Sequence, residues 1–266
     1  MSSVIYSRMR RSYRGSGPSG LWDSIPDLAL WVEPSYAPSI TLDGSTVAAV
    51  AGRDKAGNGL SQTDTSKQLS LTGVVGSTQA LLPEQAAFYH HHMVIDTPVS
   101  YPTNDFTMIV AVGTGTMSST QYVIGGPVGG LGIRINTNGS VQVLRIGQLV
   151  LATAPAGSVV ANTDYIIAVR GTYNSAEVII NGTVLHTNNY STALTSTTSI
   201  VGGYYNGSTA VDRFRGAVGT IGIYTRRLSD QELDIAAGIA AATHSITWSR
   251  LSPLIGFGPG FGSGFS

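Results

Sequence analysis

Apolar side chains recur at every second position in short runs along most of this chain, and the runs end in glycine, asparagine, proline or serine. Alternation with period two is the signature of a half-buried strand. "LGIRINTNGSVQVLRIG" reads as two strands around Asn138-Gly139, and "AEVIINGTVLHT" as two more around Asn181-Gly182; both dipeptides suit a type I′ hairpin turn. "DFTMIVAVGTG", "DYIIAVRGTY", "TSIVGGYY" and "GAVGTIGIYT" add further strands, each apolar on one side or both. Short strands with a turn about every ten residues predict an all-β chain folded as a two-sheet antiparallel sandwich.

Two segments need separate treatment. In "AAFYHHHMVID" the alternation puts Tyr89, His91, Met93 and Ile95 on a buried side. His91 is then a core histidine with a hydrogen-bond partner, and His90 with His92 form an outward surface pair. In "RRLSDQELDIAAGIAAAT" the period changes: Ser229 precedes Glu232 by three positions, and Leu233, Ile235, Ala236 and Ile239 follow at helical spacing. This predicts one helix of about two to three turns, opened by a capping box.

Composition narrows the classes. The 266 residues include 33 glycines, 11% are charged and the formal net charge is zero. Nucleic-acid binding leaves a basic footprint, and this chain has none overall. No cysteine is present, which removes disulfides and thiolate metal sites. No stretch approaches the roughly 18 apolar residues of a membrane span, and the arginine-bearing start lacks the apolar run of a secretory leader, so no membrane insertion is expected.

Three zones result. Residues 1–20 form a basic arm with Arg8, Arg10, Arg11 and Arg14, ending in the flexible "GSGPSG". Residues 21–248 are the sandwich. Residues 249–266 are a glycine-rich tail, uncharged from Leu251 onward, carrying Phe257, Phe261 and Phe265. Such a tail would be adhesive on a free monomer, so both ends read as assembly arms of a homo-oligomer.

The order of signals resembles the concanavalin A-like, laminin-G-like jelly-roll superfamily. Four pieces carry the resemblance: "LALWVEPSYAPSI", "GRDKAGNGLSQT", "VIINGTVL" and "FRGAVGTIGIYTRRLSDQEL". The last is the most telling, since an Arg-Gly turn, a strand, a basic crossover and a Leu-Ser-Asp-x-Glu helix start recur in that order in such domains. The second piece departs from the pattern: a Trp is expected near Gly52 and a Ser at Ala56. The resemblance implies a jelly roll with one short C-terminal helix.

Glycoside hydrolases of this superfamily use paired carboxylates on a strand resembling E-x-D-x-x-E, and no such strand exists here. Asp230, Glu232 and Asp234 are the tight acidic cluster, and their place in the first helical turn assigns them to capping. "GGPVGGLG" (125–132) leads into a strand, which argues against a phosphate cradle. The chain is therefore expected to lack catalytic activity and a cofactor. A glycosidase would need distant carboxylates such as Glu177 and Asp164 brought together.

Binding is the remaining class. Tyr204, Tyr205, Asn206 and Asp212 fall in one loop and Asn189 with Tyr190 in another, offering aromatic and polar groups for a glycan. Asp54 and Asn58 could give a calcium ion two oxygens. His90 and His92 could hold a metal only if several copies met on an axis, as such pairs do in some trimeric phage fibres. Taken with the end segments, these features lead to the expectation of a phage virion component, such as a tail fibre, baseplate or capsid decoration subunit. Its partners would be copies of itself, other virion proteins and host-surface polysaccharide. A free glycan-binding, lectin-like module is the alternative, and a glycoside hydrolase of the same fold the third.

Overall fold

A computed structural model describes residues 22–53, 57–82, 91–190, 197–206 and 209–250. The four arginines of the basic arm, the three phenylalanines of the tail, Asp54 and His90 lie outside the described residues. The fold is an all-β antiparallel sandwich with one helix near its C-terminal side.

The first array of strands comprises β1 (Leu28–Val32), β8 (Phe106–Gly113), β13 (Asp164–Thr172), β14 (Ser175–Ile180), β15 (Thr183–Asn189) and β19 (Ala217–Tyr224). They pair antiparallel in the order β1-β19-β8-β13-β14-β15. The second comprises β2 (Ile40–Asp43), β3 (Thr46–Val50), β4 (Leu60–Ser61), β7 (Met93–Ser100), β9 (Gln121–Gly125), β10 (Leu131–Ile135), β11 (Val141–Arg145), β12 (Leu149–Thr153) and β16 (Thr197–Val201). Its order is β2-β3-β4-β7-β16-β9-β10-β11-β12. A hairpin of β5 (Leu69–Val75) and β6 (Thr78–Leu82) joins the arrays, because β5 pairs with β3 and β6 meets β19.

One apolar core lies between the arrays. Met108, Val110, Ile167, Val169 and Ile221 enter it from the first, and Ile133, Ile135, Val141, Val143 and Val201 from the second. The alternate residues of the first array, among them Ile109, Ala111, Ile166, Ala168 and Ile179, form a separate cluster with Leu233, Ala236, Ala237 and Ala240 of α1 (Asp230–Thr243). Both faces are covered, which is why β8 and β19 are buried at every position and read as continuous apolar runs.

The capping box forms as the spacing predicts: the Ser229 hydroxyl accepts from the Glu232 N–H, and the Glu232 side chain accepts from the Ser229 N–H. The helix is longer than expected, 14 residues, because the alanine-rich stretch that follows combines high propensity with a small flat face for the sheet. Arg170, 4% exposed, ties the helix start down: it donates to Glu177 at 2.8 Å, Asp230 at 2.5 Å and the Leu228 carbonyl at 2.9 Å. Asp230 and Glu232 thus act as structural carboxylates, and Asp234 accepts from the buried Trp248 Nε1 at 3.0 Å.

The two Asn-Gly turns differ. Asn181 (φ 49°) and Gly182 (φ 87°) are both left-handed, as type I′ requires. At the other turn Gly139 is left-handed, φ 75°, while Asn138 is not. Gly139 N–H donates to the Asn136 carbonyl at 3.0 Å and Asn136 N–H to that of Ser140 at 3.0 Å. This is the three-residue loop, a type I turn closed by a glycine bulge, and the type I′ expectation for Asn138-Gly139 is corrected. The register stays centred on Asn138, with Arg134 opposite Gln142.

The histidine run also departs from the alternating reading. The strand begins at Met93, so His91 and His92 lie in the irregular segment before it and both are buried, at 6% and 4% exposure. His91 meets the expectation of a core histidine, with Nδ1 2.7 Å from the Gln68 carbonyl. His92 does not form a surface pair: its Nε2 lies 3.1 Å from the Gln62 amide.

Candidate functional site

The outward face of β9 to β12 carries a row of polar and aromatic side chains. Tyr122, Arg134, Gln142 and Thr153 are successive cross-strand partners on four adjacent strands. Their position follows from alternation, since the neighbours Ile133, Ile135, Val141 and Val143 take the core side. Arg134 Nε donates to Gln142 Oε1 at 2.9 Å, and its Nη2 bonds the same oxygen. Gln142 Nε2 donates to Thr153 Oγ1 at 3.1 Å. The guanidinium lies 5.8 Å from the centre of the Tyr122 ring, within cation–π range.

A hairpin of β17 (Tyr204–Asn206) and β18 (Thr209–Val211) packs beside this row. Tyr204 sits on Tyr122 with ring centres 4.6 Å apart and planes at 44°. Asp212 follows β18 in a left-handed conformation, φ 48°, and its carbonyl accepts the Tyr122 N–H at 2.7 Å. The approach needs Gly125: a Cβ there would lie 2.5 Å from the Gly203 carbonyl oxygen and 2.9 Å from the Tyr204 Cβ. The glycines of "GGPVGGLG" therefore serve close backbone packing.

The groups of the row sense one another. Partial desolvation raises the Asp212 carboxyl above its ordinary value, and Arg134 opposes this. Burial raises the Tyr204 hydroxyl, with Asp212 adding to the effect. Burial likewise raises Tyr122, against the pull of Arg134. Arg134, the exposed Asp212 carboxylate and the rings of Tyr122 and Tyr204 thus lie within reach of one another.

The other expected residues divide. Tyr205 alternates to the opposite side of the hairpin, edge-on to His92 with ring centres 5.8 Å apart, so the two tyrosines do not form one platform. Asn206 is exposed at the end of β17. Asn189 and Tyr190 belong to the first array, where Tyr190 donates its hydroxyl to the Thr172 carbonyl at 2.6 Å. Burial, reinforced by Asp105, pushes that hydroxyl up to about 12; Tyr190 is a structural anchor apart from the row. Asn58 is a backbone clamp: its amide nitrogen donates to the Ala29 and Thr97 carbonyls at 3.0 Å each, and its oxygen accepts the Thr97 N–H at 2.9 Å. Among the described residues no group of three or more His, Cys, Asp or Glu is placed to hold a metal.

Glu177 and Asp164 do not come together. Glu177 pairs with Arg170, six positions along β13 from Asp164, which is about 20 Å at the rise of a strand. Glycoside hydrolysis requires roughly 5 to 9.5 Å. Tyr122, Arg134, Gln142 and Thr153 were missed by loop-centred reading of the sequence. The available signal was polar residues inside alternating strands, with Arg134 and Gln142 equidistant from Asn138.

No protein-family model matches the chain, and no curated protein matches it. Solved structures of one sialidase share the fold. A mutant of Trypanosoma rangeli sialidase displaying trans-sialidase activity aligns with TM-score 0.56 and 14% identity over 83% of this chain and 34% of that one. The same sialidase in complex with the inhibitor DANA aligns with TM-score 0.53 and 12% identity over 89% of this chain and 37% of that one. The CBM40 of Ruminococcus gnavus IT-sialidase, bound to α2,3 sialyllactose, gives TM-score 0.42 and 20% identity over 50% of this chain and 82% of that one. The chain spans about a third of the length of the Trypanosoma rangeli sialidases it matches.

These neighbours correct the expectation of a virion component. The Trypanosoma rangeli structures that share the fold are sialidases, whereas the virion reading rested on the missing leader pattern, the low charge, end segments outside the described residues and analogy. Among the described residues no helix is long and apolar enough to cross a membrane.

Proposed function

We propose that this chain is a non-catalytic carbohydrate-binding module built on a two-sheet jelly roll, with its site on the outward face of β9 to β12. The observation that carries the reading is the meeting of Tyr204 and Asp212 from the hairpin with Tyr122, Arg134 and Gln142 from the sheet. Sugars present apolar C–H faces and hydroxyl edges, so their recognition calls for a ring beside fixed donors and acceptors. The occurrence of the fold in a sialidase crystallised with sialic acid supports a glycan as the ligand class. The commitment of Glu177 to Arg170 and Arg227 supports binding without hydrolysis.

The test is a glycan array with the purified chain beside Tyr204→Ala. A defined set of glycans is retained, and the variant binds them about tenfold more weakly or worse, a loss of ~1.4 kcal/mol or more. A folded chain that retains no glycan overturns the proposal.

A further inference from the structure

The charges of the row and the use already made of its arginine select among sugars. We infer, resting on the glycan-binding reading above, that the site takes an uncharged sugar, whose adjacent hydroxyls bridge the Asp212 carboxylate and the Arg134 guanidinium over the Tyr204 ring. The sialidases that share the fold include one bound to sialic acid, a sugar bearing a carboxylate.

Tight recognition of a carboxylate uses the guanidinium fork, two parallel N–H groups meeting two oxygens. In Arg134 the Nε and Nη2 side of that fork is occupied by Gln142 Oε1, and Nη1 lies 3.4 Å from the Tyr122 hydroxyl. Gln142 is itself held by Thr153. Asp212 stands on the same face, within electrostatic reach of Arg134 and Tyr204. An acidic ligand would meet the repulsion of Asp212 as well as the attraction of Arg134, whose Nε and Nη2 edge is already taken by Gln142. A hydroxyl is both donor and acceptor. A pair of them can donate to Asp212 and accept from Arg134, satisfying both charged groups at once, while the C–H face of the ring lies on Tyr204. Discrimination then comes from the carboxylate that repels the wrong ligand as well as from the contacts that hold the right one.

The experiment uses the full chain and matched glycan pairs that differ only by a terminal acidic sugar, lactose and α2,3-sialyllactose among them, titrated by calorimetry after the array. Uncharged members bind and their acidic counterparts bind at least about tenfold more weakly. Asp212→Asn weakens binding of the uncharged member by about tenfold and narrows the gap between the two. The affinity for the uncharged member changes little between low and high salt, as expected without a net ionic contact. Tighter binding of acidic members that Asp212→Asn improves overturns this inference while leaving the glycan-binding reading intact. Binding of neither class by folded protein overturns both.

Discussion

The outward faces of the two arrays begin from the same alternating strands and end in opposite conditions. On the first, the outward positions are Ile109, Ala111, Ile166, Ala168 and Ile179, and α1 covers them. On the second they are Tyr122, Arg134, Gln142 and Thr153, with the apolar Leu144 and Ile146 beside them, and a two-stranded hairpin packs over the Tyr122 end of the row. Period two decides that a residue points outward; the chemistry at that position decides whether the chain must fold back over it. The first face is closed because exposing it would cost hydrophobic free energy. The second is closed only over Tyr122, Leu144 and Ile146; Arg134, Gln142 and Thr153 stay partly exposed and bonded to one another, which is the condition of a recognition surface.

The comparison breaks most severely where the covered face is emptied. Trp31 is fully buried and stacks on Trp22 with ring centres 5.0 Å apart and planes at 4°. Its ring also fills the space over Gly222, where a Cβ would lie 2.7 Å from it. Trp31→Ala is expected to cost about 3–5 kcal/mol in urea unfolding. Truncation on the open face, Tyr204→Ala, is expected to cost clearly less, because Tyr204 is only half-buried. Equal losses would contradict the division into a structural face and a recognition face.

The covered side also carries a pH dependence of its own. His244, fully buried at the end of α1, accepts the Thr220 N–H on Nε2 at 3.0 Å, so Nδ1 carries the proton and faces the Val75 carbonyl at 3.2 Å. Burial lowers its pKa to about 4. Between that value and the unfolded value of about 6.5 the unfolded chain binds a proton that the folded chain does not. The contribution to stability is therefore complete above pH 6.5 and is lost as pH falls through 6.5 towards 4, amounting to about 3 kcal/mol. Urea midpoints from pH 7.5 to 5 should fall in the native chain, and His244→Gln should flatten that slope; an unchanged slope would remove His244 as its source. Carboxylates held low by partners, Glu232 by Arg226 for one, lose their contribution below this window.

Much of the first face was legible in the sequence and little of the second. The continuous apolar runs of β8 and β19, the capping box at Ser229 and the type I′ turn at Asn181-Gly182 each follow from local chemistry. The turn at Asn138-Gly139 did not, because one dipeptide serves two loop lengths and the choice rests on whether Asn136 pairs with Ser140. His92 was placed outward because alternation was carried two residues beyond the start of the strand. Tyr204 and Asp212 were found as loop residues, but their partners on β9, β10 and β11 lie some 60 to 90 positions earlier and meet them only through the sheet. Tyr204 and Tyr205 looked like a pair in sequence, yet neighbours along a strand point to opposite sides.

The smallest effect separates two roles of one residue on the open face. Asp212 combines an exposed carboxylate with a left-handed backbone at φ 48°. Asparagine tolerates that conformation about as well as aspartate, whereas alanine carries a penalty of about 1–2 kcal/mol there. Asp212→Asn is thus expected to leave stability within about 0.5 kcal/mol and Asp212→Ala to lower it by about 1 kcal/mol, both read from urea unfolding. Glycan affinity should fall in both, because both remove the carboxylate. If the asparagine variant kept full affinity while the alanine variant lost it, Asp212 would act on the site through its backbone, by holding the hairpin against Tyr122, and the carboxylate would have no part in recognition.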